Sequence, residues 1–136
     1  MTTIELTKDN FEQVVSGNPV VIVDFWAPWC APCRSFAPIF DAASMKYPEI
    51  IFGKVNTDEE QELAANFQIR SIPTLMILRE QVILFSQPGA LHASALDSII
   101  SQAQAVDMAR VNEEIKREQP VKIGRASCRE RVYVLV

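Results

Sequence analysis

Apolar residues in this chain fall into short runs of two kinds, and the two kinds alternate. Val20 to Phe25 is nearly continuous, Val-Val-Ile-Val-Asp-Phe, which predicts a central strand buried on both faces. Ile50 to Asn56 predicts a second central strand, and Ile4 to Leu6 a short edge strand. Thr74 to Arg79 and Val82 to Ser86 are parted only by Glu80-Gln81, and so tight a link predicts an antiparallel hairpin. Between these strands the apolar positions recur at helical spacing. Phe11, Val14 and Val15 form a stripe behind Thr7, the expected N-cap, and Gly17-Asn18-Pro19 ends that helix. Phe36, Ile39, Phe40 and Ala43 mark a longer helix ending near Lys46, with Pro38 expected to kink it. Leu63, Ala64 and Phe67 place a short helix over Glu59 to Phe67. Leu96, Ile99 and Ile100 place another over Leu91 to Ala103, after a turn at Pro88-Gly89. Met108, Val111 and Ile115 add one more amphipathic stretch, Asp107 to Glu118, packed on the domain or free for a partner. The order β-α-β-α-β-α-β-β-α plus an extra helix predicts an α/β fold with a central mixed sheet flanked by helices.

Composition narrows the function classes. At 136 residues the chain reads as a single folding unit able to bury roughly two thirds of its unfolded surface. Three cysteines are too few for a disulfide-built secreted scaffold. Met1 to Asn10 is polar and acidic, unlike a leader segment, and no apolar run approaches the ~20 residues of a membrane helix. A cytoplasmic protein is the expectation. The formal charge of -4, without a basic stripe, makes nucleic acid and anionic membrane poor partners.

The ending differs from the rest. From Ile123 onward the chain carries three Arg and one Glu, whereas the preceding 122 residues hold ten basic and sixteen acidic groups. The expected division is 1–105 as the main domain, 106–120 as the additional helix and 121–136 as a tail. That tail resembles the translation of a cloning adapter. The alternatives are a natural disordered tail or a short strand from Arg131 to Val136. Cys128 lies within it, far from any second thiol, and is expected to be incidental.

The chemistry sits where the Val20–Phe25 strand ends. Trp26-Ala27-Pro28-Trp29-Cys30-Ala31-Pro32-Cys33 follows it directly, putting two thiols at a strand-to-helix junction, the edge where open α/β sheets carry their sites. Free amides and the positive end of the helix dipole stabilise a thiolate there, above all on Cys30 at the start of the helix. Cys30 would then attack a disulfide and Cys33 resolve the mixed disulfide from one turn away. Pro32 stiffens that first turn without wasting an amide. Two other readings stand beside this one: half of a zinc site, and two inert thiols. The zinc reading lacks a second Cys-x-x-Cys and finds only one histidine, His92.

Asp24 interrupts the apolar run and should point to the same side as Ile22, away from Val23 and Phe25. Desolvation should raise its pKa, leaving it suited to exchange a proton with Cys33. The plainer alternative is a strand-end carboxylate satisfied by local amides. Lys54, on the neighbouring strand, could approach Asp24. Ser71-Ile72-Pro73-Thr74 leads into the next strand, where a proline is unusual. A cis Ile72-Pro73 bond would offer Ile72's backbone to an extended substrate segment, and a trans turn is equally compatible with the sequence.

Taken together, Val23-Asp-Phe-Trp-Ala-x-Trp-Cys-x-Pro-Cys33, Lys54-Val-Asn56, Ile69-Arg-Ser-Ile-Pro-Thr-Leu75 and Gly89 resemble the thioredoxin family, from Thr3 to about Ala103. The resemblance implies a thioredoxin fold and reduction of protein disulfides. It implies that Cys30 is the nucleophile, Cys33 the resolving thiol, Asp24 the buried acid/base and Lys54 its neighbour. It also implies a cis Pro73 facing the dithiol, with Trp26, Trp29, Ala31, Pro32, Ile72, Pro73 and Gly89 at the groove for target proteins. No cofactor is implied, and the family's usual partner is an NADPH-dependent flavin reductase. Three departures matter. Ala31 stands where the family usually has glycine, which should restrict the loop and slightly shift its redox poise. Glu80-Gln81 replaces the usual Asn-Gly or Asp-Gly turn, so a less tightly twisted hairpin tip is expected. Asp107 to Glu118 is an addition. Two further functions compete with general disulfide reduction: an oxidase or isomerase on the same fold, and a non-enzymatic binding module docking through the added helix. Intact Cys30 and Cys33 weigh against the last.

Overall fold

Strand β2 (Val20–Trp26) lies inside the sheet rather than at its edge because its alternate side chains supply two separate cores. The computed structural model of the chain describes residues 3–118, 122–123 and 132–134. On one face Val21, Val23 and Phe25 meet Phe11 and Val15 of helix α1 (Phe11–Gly17) and Leu63 of helix α3 (Gln61–Asn66). On the other, Ile22 meets Phe36 and Phe40 of helix α2 (Ala31–Lys46) and Leu96 and Ile100 of helix α4 (Ala93–Ala105). Period-two alternation within a continuous apolar run is what lets one strand serve both layers.

The remaining strands are β1 (Thr3–Glu5), β3 (Ile51–Asn56), β4 (Thr74–Arg79), β5 (Val82–Pro88), β6 (Lys122–Ile123) and β7 (Val132–Val134). They lie in the order β1-β3-β2-β4-β5-β7-β6. β1 and β2 run parallel to β3, while β4 is antiparallel to both β2 and β5, so the sheet is mixed as expected. Gly53 permits the close β1–β3 approach: a Cβ there would lie 2.7 Å from Leu6 Cγ. A glycine inside a strand signals such an approach.

Element boundaries depart from expectation in instructive ways. Thr7 does not cap α1. Its hydroxyl accepts from the Asp9 amide at 3.2 Å, its own amide donates to Asn10 Oδ1 at 2.7 Å, and the helix begins one turn later. The end of α2 does match: the helix runs through Pro38 to Lys46. The β4–β5 turn is not slackened by its Glu-Gln sequence. Glu80 and Gln81 take φ of 51° and 69°, the left-handed pair that a tight hairpin demands and that glycine or asparagine normally supplies. Tertiary bonds hold it there: the Glu80 amide donates to Pro19 O at 2.9 Å, and its carboxylate accepts from Asn112 at 3.3 Å.

That Asn112 belongs to helix α5 (Met108–Glu118), which packs on the domain. Met108 and Val111 are buried against Val82, and Asp107 Oδ1 caps the helix by accepting from the Ala109 amide at 3.1 Å. Arg79 ties the same corner together, its Nη1 donating to Ala103 O, Gln104 O and Val106 O at 2.9–3.2 Å. A cation belongs at the C-terminal end of α4, where carbonyls are left without partners. Beyond α5 the sheet continues: β7, inside the Arg131–Val136 stretch for which a short strand is one reading, lies parallel to β5, pairing Tyr133 with Val82, and β6, which the sequence pattern does not predict, is antiparallel to β7. Cys128 and residues 119–121, 124–131 and 135–136 lie outside the described residues.

Candidate active site

Where β2 ends, the chain turns over the top of the sheet before α2 begins. Trp26 O accepts from the Thr57 amide at 2.8 Å and hydroxyl at 3.1 Å, and Ala27 O accepts from the Cys30 amide at 3.2 Å. Cys30 is the N-cap of α2 in an extended conformation, and its Sγ accepts the Cys33 amide at 3.2 Å. Sulfur thus takes the role that Ser or Asp plays at other helix starts. Pro32 occupies the first turn, where no amide is needed. Cys30 and Cys33 are joined in a disulfide across a Cα–Cα distance of 5.2 Å. Their bonding to each other distinguishes a redox pair from zinc ligands or inert thiols.

Cys30, which an exposed position at the loop would have suited, is only 4% exposed; the exposed residues beside it are Trp29, Ala31 and Pro32. Trp29 is 68% exposed and its Nε1 donates to the Asp58 carboxylate at 3.1 Å. Behind the loop, Arg34 Nη1 donates to Pro28 O at 2.8 Å. Nothing local in the sequence singles out Asp58 or Arg34, since both bonds depend on the loop's path.

Facing Cys30 is the Ile72-Pro73 segment, whose peptide bond is cis. Ile72 O lies 3.8 Å from Cys30 Sγ, and Ile72 packs against the buried pair. The Gly89 amide donates to Pro73 O at 2.7 Å, with Gly89 at φ +108°, a conformation that favours glycine. Cys30, Ile72, Pro73 and Gly89, spread over sixty residues of sequence, are therefore brought to one edge.

Asp24 points to the Ile22 side of β2, beneath the disulfide end of the sheet, and is 1% exposed. Neither carboxylate oxygen has a hydrogen-bond partner, so it is not a strand-end acid satisfied by local amides. Burial raises its pKa from the ordinary 3.8 to about 7, the Lys54 charge opposing that rise and the Asp41 charge adding to it. Lys54 is Asp24's register partner on β3. Its Nζ sits 5.1 Å from the Trp26 ring centroid, a cation–π contact rather than an ion pair with the acid.

The family model described as Thioredoxin matches residues 2–102. A Streptomyces coelicolor protein provisionally named thioredoxin 2 is 50% identical over 118 residues, covering 87% of this chain and 88% of that one. A match of that span reaches at least the end of α5. The thioredoxin of Porphyra purpurea is 41% identical over 104 residues, covering 75% of this chain and 97% of its own. Among solved structures, a Plasmodium falciparum thioredoxin superposes with a TM-score of 0.68 at 34% identity, covering 74% of this chain and 97% of that one. Among the described residues, no helix is long and apolar enough to cross a membrane. The activity is thiol–disulfide exchange of the reducing type, carried by the Cys30–Cys33 couple. By sequence, by fold and by the pairing of its two cysteines, this chain belongs to the thioredoxin family.

Proposed function

We propose that Cys30 is the attacking thiol, Cys33 the resolving thiol and Asp24 the proton carrier in the reduction of protein disulfides. The capping bond supports this best: of the two sulfurs, Cys30 Sγ is the one that accepts a helix amide, the Cys33 N–H at 3.2 Å. In the reduced protein the Cys30 thiolate attacks a target disulfide, and the expelled target sulfur takes up a proton. Cys33 then loses its proton to the Asp24 carboxylate and attacks Cys30 Sγ, which releases the second target thiol. Two electrons have passed to the target, and the Cys30–Cys33 disulfide remains. An acid with a pKa near 7 is suited to both directions of that proton transfer at neutral pH. Lys54 favours the charged form of Asp24 through its field.

The target groove on this reading runs over Trp26, Trp29, Ala31, Pro32, Ile72, Pro73 and Gly89. An extended segment beside the cis Ile72-Pro73 bond would meet backbone groups not used by β4. Residues 1–105 carry the chemistry, 106–120 are an added helix and 121–136 an appended segment. The electron source is an NADPH-dependent thioredoxin reductase, and the setting is cytoplasmic. Insulin reduction coupled to NADPH and such a reductase tests the reading, read alongside equilibrium against glutathione. Turnover with a reducing equilibrium supports it. No turnover, or a couple poised to oxidise glutathione strongly, would favour an oxidase or isomerase.

A further inference from the structure

The three carbonyls that follow the end of β2 each have a donor: Trp26 O has Thr57, Ala27 O has the Cys30 amide, and Pro28 O has Arg34 Nη1 at 2.8 Å. The first is a cross-strand bond from the Thr57 amide, with the Thr57 hydroxyl added, and the second a turn bond from the Cys30 amide. The third comes from a charged side chain that folds back over six residues. A cation this close to the N-terminus of a helix faces the positive end of the dipole, so helix formation does not ask for arginine here. What the guanidinium gains is the carbonyl of Pro28.

Peptide planarity carries that bond to Trp29. The Pro28 carbonyl and the Trp29 amide share one rigid plane, so fixing the oxygen fixes the direction in which Trp29 leaves the loop. The indole is held separately at its far end, where Nε1 donates to Asp58 at 3.1 Å. Trp29 is 68% exposed and has little packing to hold it. An exposed indole with its backbone and its ring both tethered is preordered for contact with another molecule, which then need not supply the ordering.

We propose that Arg34 is a positioning residue for protein targets: with Asp58 it holds Trp29 as a rigid apolar contact beside Cys30. This rests on the reading that Trp29 borders the target groove. The planar guanidinium fork suits the task better than a flexible ammonium.

The test compares the full-length reduced protein on two oxidants, insulin and dithiodipyridine, a neutral disulfide too small to span the groove. Arg34→Met should lower the second-order rate with insulin about fivefold and leave the rate with dithiodipyridine unchanged. Arg34→Lys, which keeps the charge and one donor, should recover part of the loss. The heteronuclear NOE of the Trp29 indole should fall in Arg34→Met, reporting a loosened ring. An unchanged insulin rate in Arg34→Met would overturn the proposal. So would an equal fall on both oxidants, which would mean that the charge acts on the Cys30 sulfur itself. Failure of the unaltered protein to reduce insulin would instead defeat the functional reading on which the proposal rests.

Discussion

At the dithiol end of the sheet Asp24 is enclosed with neither carboxylate oxygen bonded, whereas at the hairpin end the Nη1 of Arg79 donates to three carbonyls at the end of α4. Both side chains are polar groups in a largely apolar setting. One is left in need of a proton and the other is spread over ready acceptors, with only its Nε unpartnered. A second contrast runs the same way. The dithiol end exposes Trp29, while the hairpin end buries Met108 and Val111 of α5 against Val82. A buried carboxylate with neither oxygen bonded and an exposed indole beside the thiols mark the working end. Satisfied polarity and covered apolar surface mark the end that holds the fold together.

Four experiments would break or sharpen this contrast. The largest effect is expected at the sulfurs: Cys30→Ser should abolish disulfide reduction, and Cys33→Ser should accumulate mixed disulfides that non-reducing gels resolve. Mixed disulfides forming equally well through Cys33 in the Cys30→Ser variant would remove the distinction between the two thiols. Next comes Asp24→Asn. The folded pKa is raised, so the stability of the parent is full below 3.8 and is lost as pH rises through about 7. At alkaline pH the buried charge costs on the order of 4 kcal/mol, so the variant should be the more stable of the two there and equal to the parent in acid. Its turnover should be slower. Denaturant titrations along a pH series would measure this, and a constant difference at every pH would disprove the assignment.

A smaller effect is expected at the other end. Arg79→Met removes the charged donor from Ala103 O, Gln104 O and Val106 O, leaving Ala103 O its bond from the Val106 amide, and should cost about 2 kcal/mol of stability, while insulin reduction below the melting range stays the same. A matching loss of activity would show that the two ends are coupled. The smallest change is expected on removing residues 119–136. β5 would lose its pairing with Tyr133 and Val134, and the melting temperature should shift by no more than about 5 °C with no change in turnover. A larger shift would place the appended segment among the elements that hold the fold.

Much of the dithiol end is legible in the sequence because its chemistry is local. Five apolar residues interrupted by one aspartate, then two thiols around a proline, state strand, turn and helix start within fourteen positions. The exposure of Trp29 and the cover over Cys30 are not local. They depend on Ile72, more than forty residues away, and on an Asp58 that nothing in its own neighbourhood distinguishes. The hairpin end is harder still. Glu80-Gln81 has the wrong residues for a tight turn by propensity, and it is the Pro19 and Asn112 contacts that impose positive φ on both. Arg79 looks like any strand-end charge until the end of α4 is brought beside it. The stripe Met108, Val111, Ile115 predicts a helix but not what covers it, since amphipathicity states that a face is buried and not against which strand.

The capping sulfur of Cys30 has one more consequence. An amide at the start of a helix interacts more strongly with an anion than with a neutral acceptor, and Cys30 Sγ is neutral in the disulfide. Whatever the Cys33 amide contributes therefore accrues to the dithiol once that sulfur ionises, and only weakly to its oxidised partner. By thermodynamic linkage, the first turn of α2 pulls the couple toward its electron-loaded form. Sixteen residues of ordinary helix thus set a limit on how readily this protein parts with the electrons it exists to donate.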